Sequence, residues 1–225
     1  MRRSMRERGA TCDCYGTLID WNGGIRAELG RLFGEDHAGR LLARYHEVEP
    51  RVQEERSDAS YRDVLAAVLA ELARGEGVEL PADDHDALGR SLPRWPPFQE
   101  VRDALSGVRE RGWRLVILSN TDRDFIEASM ERIGVPFELA IVASEIGSYK
   151  PAHRHWEEFW KRTRADRARH VHVGASLFHD MEPAHALRLP AVWINRLGEE
   201  ATVEVARELP DLVHLAEALD ELVAA

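Results

Sequence analysis

The chain has 225 residues, 44% hydrophobic and 31% charged, a composition that fits a globular protein with one good-sized core or a core plus a smaller lobe. Its 40 Asp and Glu against 30 Lys and Arg give a formal charge of −10, which disfavours nucleic acid as the main partner, and no apolar run approaches membrane-spanning length. The basic start MRRSMRERGA has no apolar stretch behind it, and Cys12 and Cys14 stand too close in an extended segment to close a relaxed disulfide, so a cytoplasmic protein is expected.

Residues 10–15 read as a short strand, with Gly16 and Thr17 as the turn after it. From about residue 25 to 92 the apolar residues recur at helical spacing, in IRAELGRLF, AGRLLARYHEVEPRVQEER, YRDVLAAVLAELARGEG and ADDHDALGRSL. The prolines of PRWPPF close that segment. Beyond it strands and helices alternate: WRLVILSN, ELAIVAS, HVHVGAS and PAVWINR as strands, with amphipathic helices between them. DLVHLAEALDELV reads as a last short strand and helix. Apolar strands between amphipathic helices predict an α/β fold with a parallel sheet covered on both faces. The expected organisation is a core from residues 1–20 and 96–225, with an all-helical insertion at 21–95.

Ligands of an open parallel sheet bind beyond the carboxyl ends of its strands. Asp13 ends the first strand, Ser119 and Asn120 end LVIL, Lys150 lies in the loop after AIVAS, and Asp180 follows HVHVGASLFH. Unrelated surface residues have no reason to coincide on one edge of a sheet, so these groups are candidates for a single site.

DCYGTLID, LSN, SYKP, and GASLFHD with PAVWINR resemble the four motifs of the haloacid dehalogenase superfamily. The match runs over nearly the whole chain and places the helical insertion where that superfamily carries its cap. The resemblance implies a Rossmann-like core, a helical cap domain, and a site in the cleft between them. The phosphatase branch carries an aspartate two residues after its nucleophile and an acidic residue in the fourth motif that helps hold Mg²⁺; Tyr15 and Ala175 stand at those positions here. Mg²⁺ favours hard oxygen ligands in octahedral geometry, so both changes weaken the case for it. The D-x-Y-G-T pattern is similar to that of the type II, L-2-haloacid branch, which implies a metal-independent enzyme without a cofactor, acting on a small haloacid. The chemistry agrees: halide leaves unprotonated, whereas a phosphate ester expels an alkoxide and would miss an acid at residue 15.

The resemblance also assigns roles. Asp13 is the expected nucleophile that forms an ester with substrate, Lys150 holds it ionised, Thr17 hydrogen-bonds it, and Asp180 positions the hydrolytic water or pairs with Lys150. Tyr15, Arg44, Ser119, Asn120, Trp156 and Ser176 are expected to contact substrate: Ser119 on the carboxylate, Asn120 on the halide side, and Arg44 from the cap onto the anionic groups. Trp156, Ala175 and Leu177 replace a tyrosine, a serine and an asparagine of better-known dehalogenases, and His179 is placed to compensate. Trp21, Tyr45, Trp156 and Phe178 are expected to narrow the pocket toward short acids such as haloacetates. Two alternatives stay open: a Mg²⁺-dependent phosphatase or phosphonatase of the same fold, and a catalytically idle binding protein. Relatives often pair through the cap, so a homodimer is a further expectation.

Overall fold

The computed structural model describes residues 7–56 and 59–224. Its central strand β1 (Gly9–Cys12) is buried on both faces and is followed by four helices, α1 (Trp21–Phe33), α2 (Glu35–Glu55), α3 (Tyr61–Glu76) and α4 (Ala87–Ser91). The chain then alternates through α5 (Val101–Glu110), β2 (Arg114–Ser119), α6 (Arg123–Ile133), β3 (Leu139–Val142), α7 (Ala143–Ile146) and α8 (Arg154–Thr163). It closes with β4 (His170–Gly174), α9 (Glu182–Ala186), β5 (Ala191–Ile194), β6 (Arg207–Leu209) and α10 (Leu215–Leu222). The six strands form one parallel sheet in the order β3-β2-β1-β4-β5-β6. Since β2 and β4 flank β1, the order reverses there, and the crevice at the end of β1 is where such a sheet takes its ligand.

Alternation along the strands divides the core. Leu115 and Ile117 of β2 join the apolar cluster that also takes in α3 and α10, while Val116 and Leu118 face Trp156 and Phe159 of α8 and Trp193 of β5. Helix boundaries follow local chemistry. Ser60 accepts the Asp63 N–H at the start of α3, and Gly77 ends it in the left-handed conformation.

Helix α2 fixes what the insertion offers the core. Leu41, Tyr45, Val48, Glu49, Val52 and Gln53 occupy its buried face, and Arg40, Arg44, Glu47 and Arg51 its exposed one.

Expected elements differ in extent: the strand over residues 10–15 runs from Gly9 to Cys12, and the strand over ELAIVAS gives way at Ala143 to α7. ADDHDALGRSL forms a 3-10 turn at Ala82–Asp84 and then the short α4. The strand expected over HVHVGAS stops at Gly174, because the N–H groups of Ala175 and Ser176 turn away to the side chains of Thr17 and Asp180. The last strand is Arg207–Leu209, ahead of the expected DLVH, and Pro210 ends it because proline has no N–H for the ladder.

Candidate active site

Four loops at the carboxyl edge of the sheet build the site. The Asp13 N–H continues the β1 ladder by donating to the Val173 carbonyl (2.9 Å), which fixes the backbone under its carboxylate. The chain then turns at Gly16, whose φ of +88° is open to glycine and strained for other residues. That turn folds Thr17 back, so that its hydroxyl donates to Asp13 Oδ2 (2.7 Å) and accepts from the Ala175 N–H (2.9 Å). With its lone pair engaged by Ala175, the Thr17 proton has one destination.

Lys150 Nζ donates to Asp13 Oδ1 at 2.9 Å and to Asp180 Oδ1 at 2.6 Å. Its backbone is clamped by Asn120, which donates to the Lys150 carbonyl (2.9 Å) and accepts the Lys150 N–H (2.6 Å). Asp180 sits in a π-turn, Leu177–Met181, whose first bonds run from the Asp180 and Met181 N–H groups to the Ser176 carbonyl. The turn passes close over Gly174, where a Cβ would meet the Asp180 Cγ at 2.5 Å. Only glycine permits that approach.

Burial disfavours the charge on each of these groups, and the partners decide the outcome. For Asp180, Lys150 and His172 outweigh burial and hold the carboxyl well below the usual range. For Asp13, burial together with the neighbouring charge of Asp180 outweighs Lys150 and Thr17, and the carboxyl is pushed up. Lys150 resists burial because it faces two carboxylates, and its ammonium is pushed up to about 12.

A chain of buried hydrogen bonds reaches Asp180 from behind. Trp160 Nε1, which can only donate, meets His170 Nδ1 at 3.2 Å. Burial pushes His170 well below the ordinary imidazole value, so it is neutral and its Nε2 carries the proton. That nitrogen donates to Thr11 Oγ1 (2.8 Å), and Thr11 lies 2.9 Å from His172 Nδ1. His172 Nε2 in turn lies 3.3 Å from Asp180 Oδ1. A proton count consistent from end to end has Thr11 donating to His172 and His172 donating to Asp180.

These groups open onto a cavity of about 210 Å³, lined on the core side by Asp13, Tyr15, Ser119, Asn120, Lys150, Ser176, His179 and Asp180. Its opposite wall comes from the helical insertion: Trp21, His46, Glu49, Pro50, Gln53 and Tyr61. The Ser119 hydroxyl is buried and has no partner. Tyr15 bonds Ser129 (3.0 Å), and His179 bonds Ser176, with burial pushing its imidazole down to about 4.

The structure therefore brings together Asp13, Tyr15, Thr17, Ser119, Asn120, Lys150, Ser176 and Asp180. Two expected substrate contacts are corrected. Arg44 lies on the outer face of α2, 56% exposed and paired with Glu47 and Glu71, because its helical phase points it away from the cavity. Trp156 is fully buried on the face of α8 that covers the sheet, edge-on to His172 at 5.1 Å between ring centroids, and does not reach the cavity. Asn120 lines the cavity, but its amide is engaged by the Lys150 backbone. Of the residues expected to narrow the pocket, Trp21 lines it, Tyr45 packs behind Trp21, and Phe178 is half exposed.

Sequence reasoning missed Thr11, His170 and His172, and on the insertion His46, Glu49 and Gln53. A signal existed for both groups. His170 and His172 are polar residues two apart in an otherwise apolar strand, with Thr11 in register beside His172. Glu49 falls on the apolar stripe of α2.

Comparison with known proteins agrees with the fold. Residues 8–188 match the family model described as haloacid dehalogenase-like hydrolase. The chain is 28% identical over 200 residues to an (S)-2-haloacid dehalogenase of Pseudomonas sp. (strain YL), covering 85% of this chain and 84% of that protein. The L-2-haloacid dehalogenase of Xanthobacter autotrophicus, solved with chloropropionic acid covalently bound, superposes with a TM-score of 0.84 at 16% identity over 97% of this chain and all of that one (100%). A hydrolase of Bacillus subtilis solved bound to magnesium reaches 0.81 at 17% identity over 96% and 99% of the two chains. At such identities the likeness to the solved structures shows the fold alone.

The family match covers most of the chain, and the protein belongs to the haloacid dehalogenase-like hydrolases. Magnesium, which one structural neighbour binds, does not suit the residues present here. The two carboxylates that meet at the strand ends are bridged by an ammonium, and positions 15 and 175 supply no anionic oxygen. Among the described residues no group of three His, Cys, Asp or Glu is arranged to hold a metal.

Proposed function

We propose that this protein hydrolyses short 2-haloalkanoic acids without a metal, through an ester on Asp13. The observation that carries this reading is Lys150, whose ammonium sits between Asp13 and Asp180. A fixed cation there aims a buried carboxylate and offsets part of the cost of its charge, which is what attack on carbon requires. The relatives named as haloacid dehalogenases supply the substrate class, and the cavity of about 210 Å³ suits a molecule of a few heavy atoms.

In the first step a carboxylate oxygen of Asp13 bonds to carbon 2, and the carbon–halogen pair leaves with the halide. Ser119 donates its unpartnered hydroxyl to the substrate carboxylate. In the second step water oriented by Asp180 adds to the ester carbonyl of Asp13, one of its protons passes to the oxygen of the departing 2-hydroxy acid, and the other is lost from the Asp13 carboxyl. The 2-hydroxy acid departs, Asp13 regains its charge, and one proton is released for each halide. Residues 21–95 act as a cap that excludes bulk water until displacement is complete.

The test is halide release from fluoro-, chloro- and bromoacids with and without EDTA, joined to a single turnover in H₂¹⁸O. Halide release indifferent to EDTA, with ¹⁸O in the Asp13 carboxyl, is the expected result. Phosphate release stimulated by Mg²⁺, with no halide from any acid, overturns the reading in favour of a phosphatase.

A further inference from the structure

Among the described residues no arginine lines the cavity, and Lys150 is already shared between two carboxylates. A third carboxyl stands in the wall. Glu49 lies on the buried face of α2 with 5% of its surface exposed. Its partner is the amide of Gln53, one turn along the same helix, and no cation stands against it among the described residues. The other groups close enough to sense its charge are phenols: Tyr45 on its own helix, Tyr61 on α3, and Tyr149 in the loop before Lys150.

An unpaired buried carboxylate is unfavourable, and burial pushes Glu49 up to about 7. The charge count points the same way. Asp13 and Asp180 ionised against Lys150 leave the cavity with one net negative charge. An ionised Glu49 makes two, and a haloacid carboxylate would enter as a third, with nothing opposite to offset it. A neutral Glu49 removes one of those charges and supplies an O–H donor, which bonds strongly to an anion.

We propose that Glu49 determines substrate specificity from the cap wall: as a neutral carboxylic acid it donates a hydrogen bond to the anionic end of a small halogenated carboxylate, and once ionised it turns that substrate away. The identity of the substrate rests on the dehalogenase reading, but the selection is a binding step that can be observed without turnover. Other groups facing the cavity are distinguishable from it. Burial pushes His46 down and His179 down to about 4, while Lys150 is raised to about 12 and Tyr15 and Tyr61 are also pushed up. Asp13 is displaced upward too, so its contribution has to be separated by a variant at Glu49.

The experiment is calorimetric titration of acetate and propionate, which carry no leaving group, into the wild type and Glu49→Gln at pH 6 and pH 9. A side chain that must be protonated to bind, with a midpoint near 7, weakens binding by up to about tenfold per pH unit above it. The wild type is expected to lose at least tenfold more affinity between the two conditions than Glu49→Gln, whose residual loss reports Asp13. Acetamide, the uncharged probe, should show no such loss in either protein. The same slope in both proteins, tighter acetate binding by the wild type at pH 9, or no acetate binding at pH 6 overturns the proposal. Should Glu49→Gln fail to fold, ¹³C-Glu NMR of the wild type decides: one carboxyl must titrate near 7, and its midpoint must rise when acetate saturates. Halide release measured alongside separates the two readings. Its absence from every haloacid sinks the dehalogenase while the acetate data still decide Glu49.

Discussion

Lys150 grips Asp13 and Asp180 with side chains 1%, 12% and 0% exposed. On the outer face of α2, Arg44 reaches Glu47 and Glu71 with 56% of its side chain in water. Both are ion pairs, but the surroundings reverse their meaning. At the strand ends each charge is held because its partner is there, and taking one away strands the other in a medium that will not solvate it. Along α2 water stands ready to replace any partner. The proposed chemistry belongs at the first place because there the geometry of each charge is fixed.

Lys150→Met breaks this contrast most severely. It leaves Asp13 and Asp180 facing each other unpaired, and loss of one member of a buried ionic group costs about 3–5 kcal/mol. Denaturant unfolding should show that loss together with no measurable turnover at neutral pH. Destabilisation below about 1 kcal/mol would mean that the trio is solvated like a surface pair.

Asp13→Asn separates function from stability at the same place. The amide keeps the shape of the side chain but is a poor nucleophile, so turnover should fall by about a thousandfold or more while the cooperative unfolding transition is retained. The pH profile of the wild type carries the same information. Because Asp13 is pushed up, activity should fail on acidification above the ordinary carboxylate value of about 4. Lys150, raised to about 12, should contribute no alkaline limb in the working range.

Thr11→Val tests how far the fixed geometry extends behind the site. It removes the link between His170 and His172 while preserving the volume. Two buried ring nitrogens then lack a partner, which costs about 1–3 kcal/mol. Asp180 loses the orientation that reaches it through His172, so kcat should fall by about tenfold with KM little changed, and Thr11→Ser should restore it. If Thr11→Val lowers stability alone, the chain is structural support and not a positioning device.

The contrast also explains which site residues are legible in the amino-acid sequence and which are not. Asp13, Ser119, Lys150 and Asp180 were legible because a parallel sheet places the carboxyl ends of its strands on one edge, whatever the details of packing. Their contacts are set by the backbone: the Gly16 turn for Thr17, the approach over Gly174 for Asp180. The wall from the helical insertion carries no such guarantee. Whether residue 44 or residue 49 faces the cavity depends on the rotation of α2 about its own axis, which the packing of Tyr45, Val48 and Val52 decides. A motif read along the chain placed the arginine inside; the apolar stripe of the same helix, read by phase, turns it out and turns Glu49 in. Trp156 shows the same weakness on α8, where the resemblance implies the cavity and the buried face of the helix takes the side chain against the sheet.

Arg44→Ala is accordingly the prediction with the smallest effect, and the one that most sharpens the comparison. If α2 stands as described, the guanidinium touches only Glu47 and Glu71 at the surface, and its removal should shift stability by no more than about 0.5 kcal/mol. Halide release from chloroacetate should keep its kcat and KM. A large rise in KM would instead mean that the helical insertion turns or closes during the reaction and carries Arg44 to the substrate. The outer face of α2 would then belong to the site, and the division between its solvated charges and the buried trio would be a property of one conformation only.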